Sequence, residues 1–404
     1  MSRLADTAHG GTVSWWRRVG PWLGIGASPV ALMVGGGVAD GNERWWLLAS
    51  VLAGALALAL IALAQGALGA RTRARFPTLA ARTLGVGGSR FIASPVIVVL
   101  MLGWYGFNSG IAGDGLAHLI GSPRWVGILL FAAVMLAVAW RGLNALSLAA
   151  LVAGIATIVL AGDGLRRALD GHDGPLLGDG VPAGNLSFLT AVTIMVGYGA
   201  AFALRTPDFT HDLRRPRDVV WCAGIGLFLP LVLFALAGAI LRLATGSWDL
   251  VEVLGRIGSP TVAYAFVTLG FTGSVLTNLH SGAIAIEDLT GRATSHRRAL
   301  LVMAVAGTAL ALVDLASRMV PFLTVMAVAA PCLVVVIWMA TNRGETTFES
   351  WMRPGPITAW ILGAGTGAIL AILDSPWALP AALAVAGGTM SVIGFERSRD
   401  RRPV

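Results

Sequence analysis

Long apolar runs, separated only by short polar stretches, follow one another from about residue 20 to about residue 394 of this 404-residue chain. A helix that crosses the hydrocarbon of a bilayer needs roughly 18–25 such residues. Read this way, the pattern predicts about twelve transmembrane helices. They fall near 20–39, 46–68, 92–119, 125–140, 143–162, 186–205, 219–243, 259–286, 299–315, 319–341, 356–373 and 376–394. The expected fold class is therefore an all-α membrane protein, almost all span and short loop. Residues 1–19 read as an N-terminal tail and 396–404 as a basic C-terminal tail. The first span has about 20 residues before it and no small-residue cleavage site after it, so it reads as a retained helix and not a leader. The stretch 163–185, rich in Gly and Asp, reads as the longest outer loop, and the amphipathic segment 245–258 as a short helix on the outer face.

Composition removes the soluble alternative. Hydrophobic residues make up 56% of the chain and charged residues 12%, against about 45–50% and about 25% for an ordinary soluble domain. So few charges cannot solvate a surface of this size, and the lipid bilayer is the implied partner. The net charge is +8, and every basic residue is arginine. A basic balance can signal nucleic acid, but here the arginines lie between apolar spans, so no nucleic-acid partner is expected. Roughly three-quarters of them fall on one face, including Arg17, Arg18, Arg73, Arg75, Arg141, Arg214 and Arg297, which the positive-inside rule reads as cytoplasmic. Both termini are then cytoplasmic, in a multi-pass protein of the cell (plasma or inner) membrane. Cys222 and Cys332 lie in or beside apolar spans without metal or redox spacing and read as small core residues.

Within the spans, helix breakers and polar residues mark the candidate chemistry. Gly24-Ile25-Gly26-Ala27-Ser28-Pro29 interrupts the first span, and Gly197-Tyr198-Gly199-Ala200-Ala201 the sixth, five spans later. Breaks at matching places in two halves point to a transporter site between inverted repeats; close packing through small residues is the alternative. In the third span Trp104 and Asn108 share one helix face, suited to stacking and hydrogen-bonding a planar heterocycle, or to a structural interhelical bond. The eighth span carries Ser274, Thr277, Asn278, His280 and Ser281 well inside apolar sequence, where polar groups line a pathway or pair with one another. His280 can exchange a proton or bond to a neighbouring helix. Asp114 and Asp314 sit near outer ends of spans, Glu287 and Asp288 at the inner end of the eighth beside Arg292. Arg205, at the end of the sixth, is expected to snorkel to the cytoplasmic surface.

These motifs together resemble the nucleobase–cation symporter family, and within it the cytosine permease branch. The loop Ala81-Arg82-Thr83-Leu84-Gly85-Val86-Gly87-Gly88-Ser89 is similar to the family's segment before the third helix, and Gly103-Trp104-Tyr105-Gly106 to its GWFG. Thr206-Pro207-Asp208-Phe209-Thr210 resembles its signature after the sixth helix, Thr277-Asn278 its eighth-helix TN pair, and Phe322-Leu323 through Pro331 to Asn342-Arg343 its tenth helix. The likeness runs from about residue 20 to 395. It implies a LeuT-like core of two inverted five-helix repeats, helices 1–5 over about 20–162 and 6–10 over about 186–341, within a core spanning 20–345. Two extra helices follow in 346–395.

The resemblance also implies alternating-access import of a nucleobase or related heterocycle, cytosine first, by cation-coupled symport with no cofactor. By position, Trp104, Asn108, Gly197, Tyr198, Gly199, Phe202, Asn278 and His280 would meet the substrate. Gly26, Ala27, Pro29, Gly273 and Thr277 would hold the coupling cation, Na⁺ or H⁺. Three departures bear on this: Gly199 stands where relatives carry a second aromatic, His211 where the signature has a basic residue, and Leu276 where a hydroxyl is common. Leu276 takes an oxygen from a sodium shell that needs hard donors.

Other classes fare worse. Phe107-Asn108-Ser109-Gly110 is not the GxSG of an intramembrane serine protease, no HExxH is present, and no filter repeat or charged ring suggests a channel. An amino-acid or amine carrier of the same fold remains the alternative within transporters; the oligomeric state is open.

Overall fold

In a computed structural model, residues 12–39, 44–170, 186–247, 249–256, 259–291, 293–313, 319–344 and 350–400 are described. Most of the expected outer loop (171–185), Asp314, Arg292 and the ends of both tails lie outside these residues. Helices dominate: among the described residues eight are long and apolar enough to cross a membrane, and three shorter apolar ones accompany them.

The first span is two helices, α1 (Val19–Gly26) and α2 (Pro29–Ala39). Helical geometry is lost at Ala27, with φ −101° and ψ 36°, and Pro29 then opens α2, where its missing N–H costs nothing. The second span is α3 (Arg44–Thr72), followed by the short amphipathic α4 (Phe76–Leu84). The third span, α5 (Ser94–Ile120), is entered through a π turn at Ser89–Ala93. The fourth and fifth are α6 (Arg124–Trp140) and α7 (Leu143–Leu169).

In the second half, α8 (Phe188–Arg205) is the sixth span, and a one-turn helix Pro207–Thr210 follows it. The seventh is α9 (Leu229–Thr245), preceded by a π turn at Cys222–Phe228. The expected outer helix is present as α10 (Leu250–Arg256). The eighth span divides at Phe271 into α11 (Pro260–Gly270) and α12 (Thr272–Leu289). Next come α13 (His296–Leu312), α14 (Met319–Asn342), α15 (Pro354–Ile372) and α16 (Ala378–Asp400).

The packing pattern carries a two-fold relation between the halves. The first span packs on the seventh as the sixth packs on the second, and the first packs on the fifth as the sixth packs on the tenth. The third packs on the ninth as the eighth packs on the fourth, and the third and eighth pack on each other. Exchanging spans 1–5 with 6–10 leaves this list unchanged, as an inverted five-plus-five repeat requires. The last two spans form a hairpin, α15 against α16, and both lie on α14.

Small residues let the central helices meet backbone to backbone. A Cβ on Gly24 would fall 2.6 Å from Gly273 Cα, so α1 and α12 approach as closely as two helices can. The lipid side is the reverse: Leu56, Leu60, Leu148, Val152 and Ile155 stand outward, and Trp45, Trp125 and Trp377 are exposed at span ends, where aromatic belts form.

The sixth span departs from expectation. It stays helical through Gly197-Tyr198-Gly199-Ala200-Ala201 and ends only at Arg205. The glycine is there for packing: Gly199 meets the Leu58 side chain of α3, the small-residue alternative weighed above.

Candidate functional site

A cavity opens where the break in the first span faces the third, sixth and eighth. It is lined by Ile25, Ser28, Val30, Trp104, Asn108, Tyr198, Ala201, Phe202, Arg205, Ser274 and Asn278. Five of the eight expected substrate residues, Trp104, Asn108, Tyr198, Phe202 and Asn278, thus converge from three spans that are distant in sequence. The cavity measures about 20 Å³, room for about one water.

Three aromatics shape its walls. The Trp104 ring stands edge-on to Tyr198 at 6.5 Å and to Phe107 at 6.2 Å. Phe202 is edge-on to Trp22 at 5.3 Å and stacked on Phe209 at 5.8 Å. The Tyr198 hydroxyl donates to the Ile25 carbonyl at the end of α1, which also accepts from the Ser28 N–H at 3.3 Å. The break in the first helix is therefore capped in part from the sixth.

The polar groups are few and unevenly satisfied. Asn108 Nδ2 donates to Ser274 Oγ at 3.1 Å, and Ser274 Oγ donates in turn to the Phe271 carbonyl at 2.9 Å. Asn108 Oδ1 is buried without a partner. Arg205, which sequence reasoning sent to the surface, is 1% exposed. Its guanidinium donates to the Thr277 carbonyl at 2.5 Å and to Asn278 Oδ1 at 2.6 Å, and lies 5.8 Å from the Phe202 ring centre. Its Nε has no acceptor. A terminal arginine usually snorkels because water is close; here the one-turn helix Pro207–Thr210 extends the chain below it, and α12 offers a carbonyl and an amide at the right reach.

Other expected residues fall elsewhere. Gly197 and Gly199 lie in unbroken helix, so they offer no free backbone groups to a ligand. His280 points away, its ring 5.8 Å from Phe209 and 5.3 Å from His296; His296 in turn meets Glu287. Asp288 is more than an interfacial charge, accepting from Ser89 and Ser94 Oγ at 2.8 Å each. Asp114 faces Arg124 at 3.8 Å, both side chains being partly exposed.

The residues expected to hold the coupling cation lie around the break in the first span and on α12 beside it. Gly26 faces the seventh span, where an added Cβ would lie 2.7 Å from the Gly226 carbonyl oxygen. Pro29 packs on Gly270, and Gly273 on Gly24. Ala27 is buried at the break. Thr277 turns its hydroxyl back to the Ser274 carbonyl at 2.8 Å, and its own carbonyl is held by Arg205.

Below the cavity, past Phe202 and Phe209, Asp208 is buried and accepts from the Phe76 backbone N–H at 3.0 Å. Burial raises its pKa from the usual 3.8 to about 6, against the opposing pull of the Phe76 N–H, Arg75, Ser281 and Arg205. Beside it, burial and Arg75 lower His211 to about 4. A wider vestibule of about 580 Å³ lies beyond, lined among others by Arg18, Arg73, Arg75, Arg141, His211 and Asp212. It is latched: Arg18 Nε donates to Asp212 Oδ1 at 3.0 Å, its Nη1 to Asn144 Oδ1 at 2.8 Å, and Val13 pairs with Leu213 as an isolated bridge. On the opposite side a vestibule of about 280 Å³ is lined by Pro29, Asp114, Asp249, Tyr264 and Phe271, among others. Phe271 meets Phe107 edge-on at 6.5 Å, between that vestibule and the cavity. The cavity thus lies between the two vestibules.

Comparison with known proteins agrees with this arrangement. Residues 7–353 match the profile of a family described as permeases for cytosine/purines, uracil, thiamine and allantoin. A cytosine permease of Escherichia coli O157:H7 is 26% identical over 310 residues, which is 76% of this chain and 73% of that protein. An allantoin permease of Bacillus subtilis (strain 168) is 23% identical over 320 residues, covering 70% and 65%. Among solved structures, Mhp1, a nucleobase-cation-symport-1 family transporter in a closed conformation with bromovinylhydantoin bound, superposes with a TM-score of 0.79 at 16% identity, covering 99% of this chain and 97% of that one. A Na⁺-coupled sialic acid symporter gives 0.71 at 10% identity, covering 96% and 91%.

Proposed function

The chain belongs to the family of permeases for cytosine/purines, uracil, thiamine and allantoin, and from that membership we propose that it imports a planar nucleobase-like heterocycle, with cytosine the first candidate, by cation-coupled alternating access. One observation carries the reading beyond the family. Trp104, Tyr198 and Phe202 wall a single buried cavity with Asn108 and Asn278, and such a site suits a flat ring with a hydrogen-bonding edge. Aromatic faces stack on such rings, and amides satisfy edges that have left water. Ligand pockets measure about 300–1,000 Å³, so the cavity widens to admit substrate, and the two closed sides are the elements that move.

For the driving ion the reading favours a proton over sodium. The Thr277 hydroxyl is turned to the Ser274 carbonyl, Leu276 brings no side-chain oxygen, and a guanidinium rests on the Thr277 carbonyl. Asp208, buried beneath the cavity with its pKa raised to about 6 by burial, is a group able to take up and release a proton between the two sides.

The test is uptake of labelled cytosine into a host lacking its own cytosine permease, against unlabelled heterocycles, with and without sodium and with an imposed proton gradient. Uptake that follows the gradient and ignores sodium is expected. Sodium-stimulated uptake refutes the proton assignment, and a well-expressed Trp104→Ala variant that transports normally refutes the site.

A further inference from the structure

The positive-inside rule accounts for the number of arginines on one side of the protein, but not for where they converge. Four of them, Arg18, Arg73, Arg75 and Arg141, line the single vestibule of about 580 Å³. They come from three stretches distant in sequence: the entry to α1, the link from α3 to α4, and the link from α6 to α7. Among the described lining residues Asp212 is the one carboxylate.

The four differ in what they have to spare. Arg18 is committed, being buried, paired with Asp212 and bonded to Asn144 Oδ1. Arg73 donates to the backbone carbonyls of Leu213 and Arg214, neutral acceptors that leave its charge uncompensated. Arg75 gives its Nε to His211 Nε2 at 3.5 Å, and its terminal nitrogens have no acceptor among the described residues. Arg141 makes no hydrogen bond or ion pair among the described residues. His211 adds no negative charge: its Nδ1 meets the Pro207 carbonyl at 3.3 Å while its Nε2 accepts from Arg75, the pattern of a neutral ring. A second carboxylate acts on Arg75, the buried Asp208.

Four guanidinium groups against one carboxylate leave a surplus of three positive charges around this space, with unspent donors on Arg75 and Arg141. Guanidinium forks match the paired oxygens of phosphate, and a surplus of this size favours a dianion over a monoanion. We propose that the vestibule is a binding site for a phosphate monoester, gripped by Arg75 and Arg141 and drawn in by the charge of Arg73. Asn144 is shared with a neighbouring cavity of about 260 Å³, lined also by Trp16 and Leu148, both exposed apolar side chains. The two sources to be told apart are therefore a soluble monoester and the headgroup of a lipid. Given the transport reading above, a bound monoester stands on the route between the cavity and that side and slows transport; the site itself does not depend on that reading.

The experiment melts the purified full-length chain in phosphatidylcholine nanodiscs, since a ligand of the folded state raises the melting temperature. The soluble probes are cytidine 5′-monophosphate and glycerol 3-phosphate, with cytidine and with chloride of equal ionic strength as controls. A second set of discs carries phosphatidic acid and no soluble probe. A rise of several degrees with both soluble monoesters, absent from the controls, supports the site with a soluble ligand; a rise with phosphatidic acid alone supports it with a lipid one. Arg141→Gln is expected to weaken binding by about 10-fold or more, the worth of a charge-assisted hydrogen bond, and Arg75→Gln to do the same should Arg141→Gln prove unstable. Arg298→Gln removes an exposed arginine that is no part of the vestibule lining and is expected to change nothing. No rise in any arm overturns the proposal. So does a rise that the folded Arg141→Gln keeps in full, or one that Arg298→Gln loses equally, which would trace it to overall charge. Exchange of labelled cytosine in proteoliposomes reads the obstruction: a monoester on the vestibule side is expected to slow it several-fold in the wild type and not in Arg141→Gln. Binding without slowing overturns the obstruction, whereas a folded chain that exchanges nothing counts against the transport reading and leaves the melts to decide the site.

Discussion

At the scale of single residues, the decisive feature is where charge lies buried. Arg205 and Asp208 stand three positions apart, one over the cavity floor and one beneath it. Asp208 has its folded-state pKa raised to about 6 from 3.8, by burial first of all. The sign follows from linkage: the folded protein holds the proton more tightly than the unfolded chain. The stability this group contributes is complete below about pH 4 and is lost as pH rises through about 6. Melting temperatures in detergent between pH 4 and 7 should therefore fall more steeply for the wild type than for Asp208→Asn. Matching slopes would mean that Asp208 titrates normally. In uptake, the same variant is expected to lose accumulation against a gradient while retaining exchange of labelled for unlabelled substrate. The sequence did single out the Thr206-Pro207-Asp208-Phe209-Thr210 stretch, as a resemblance. It gave no sign that Arg205 would turn inward, because an arginine at the end of an apolar run is ordinarily drawn to water.

At the scale of helices, the break at Ala27 and the close approach of α1 to α12 set the cavity's frame. Gly24 and Gly273 meet with no room for a side chain on either. Gly24→Val is expected to push α1 off α12, abolishing uptake and lowering the yield of folded protein; a cost of about 1–3 kcal/mol is typical of such overpacking. Normal uptake by Gly24→Val would show that the two helices need not touch. The two glycine-rich breaks looked alike in sequence yet behave differently. The first span contains Pro29, which cannot continue a helix from the preceding turn, whereas the Gly197–Ala201 stretch has no such residue. Glycine permits a break without compelling one, and packing against α3 keeps that stretch helical.

At the scale of the whole molecule, the cavity lies between two vestibules, which under the proposed function are the two routes to it. The side bearing Arg18 is held by the Arg18–Asp212 pair, the Arg18–Asn144 bond and the Val13–Leu213 bridge. Asp212→Asn removes the ionic part of this latch. A cysteine introduced at Ser28, which lines the cavity, should then react several-fold faster with a thiol reagent added from that side. The native Cys222 and Cys332 are buried and give a low background. An unchanged rate would place the closure elsewhere, in Phe202 and Phe209 or in the helices themselves.

The division between what was legible in the chain and what was not has a physical cause. Span positions, the all-helical membrane class and the sharing of one helix face by Trp104 and Asn108 followed from local rules, since hydrophobic runs, helical period and proline act over a few residues; Tyr198 and Phe202 entered through the family likeness. The family likeness extended these to the paired five-helix repeats, and the packing of spans 1–7 with 2–6 bears that out. What needed the folded protein were the relations between distant positions: Arg205 seated on Thr277 and Asn278, Gly26 turned to the seventh span, His280 turned to His296. Each depends on which side chain of another helix lies within about 3–6 Å, a distance set by the packing of all the helices together and by no stretch of sequence alone.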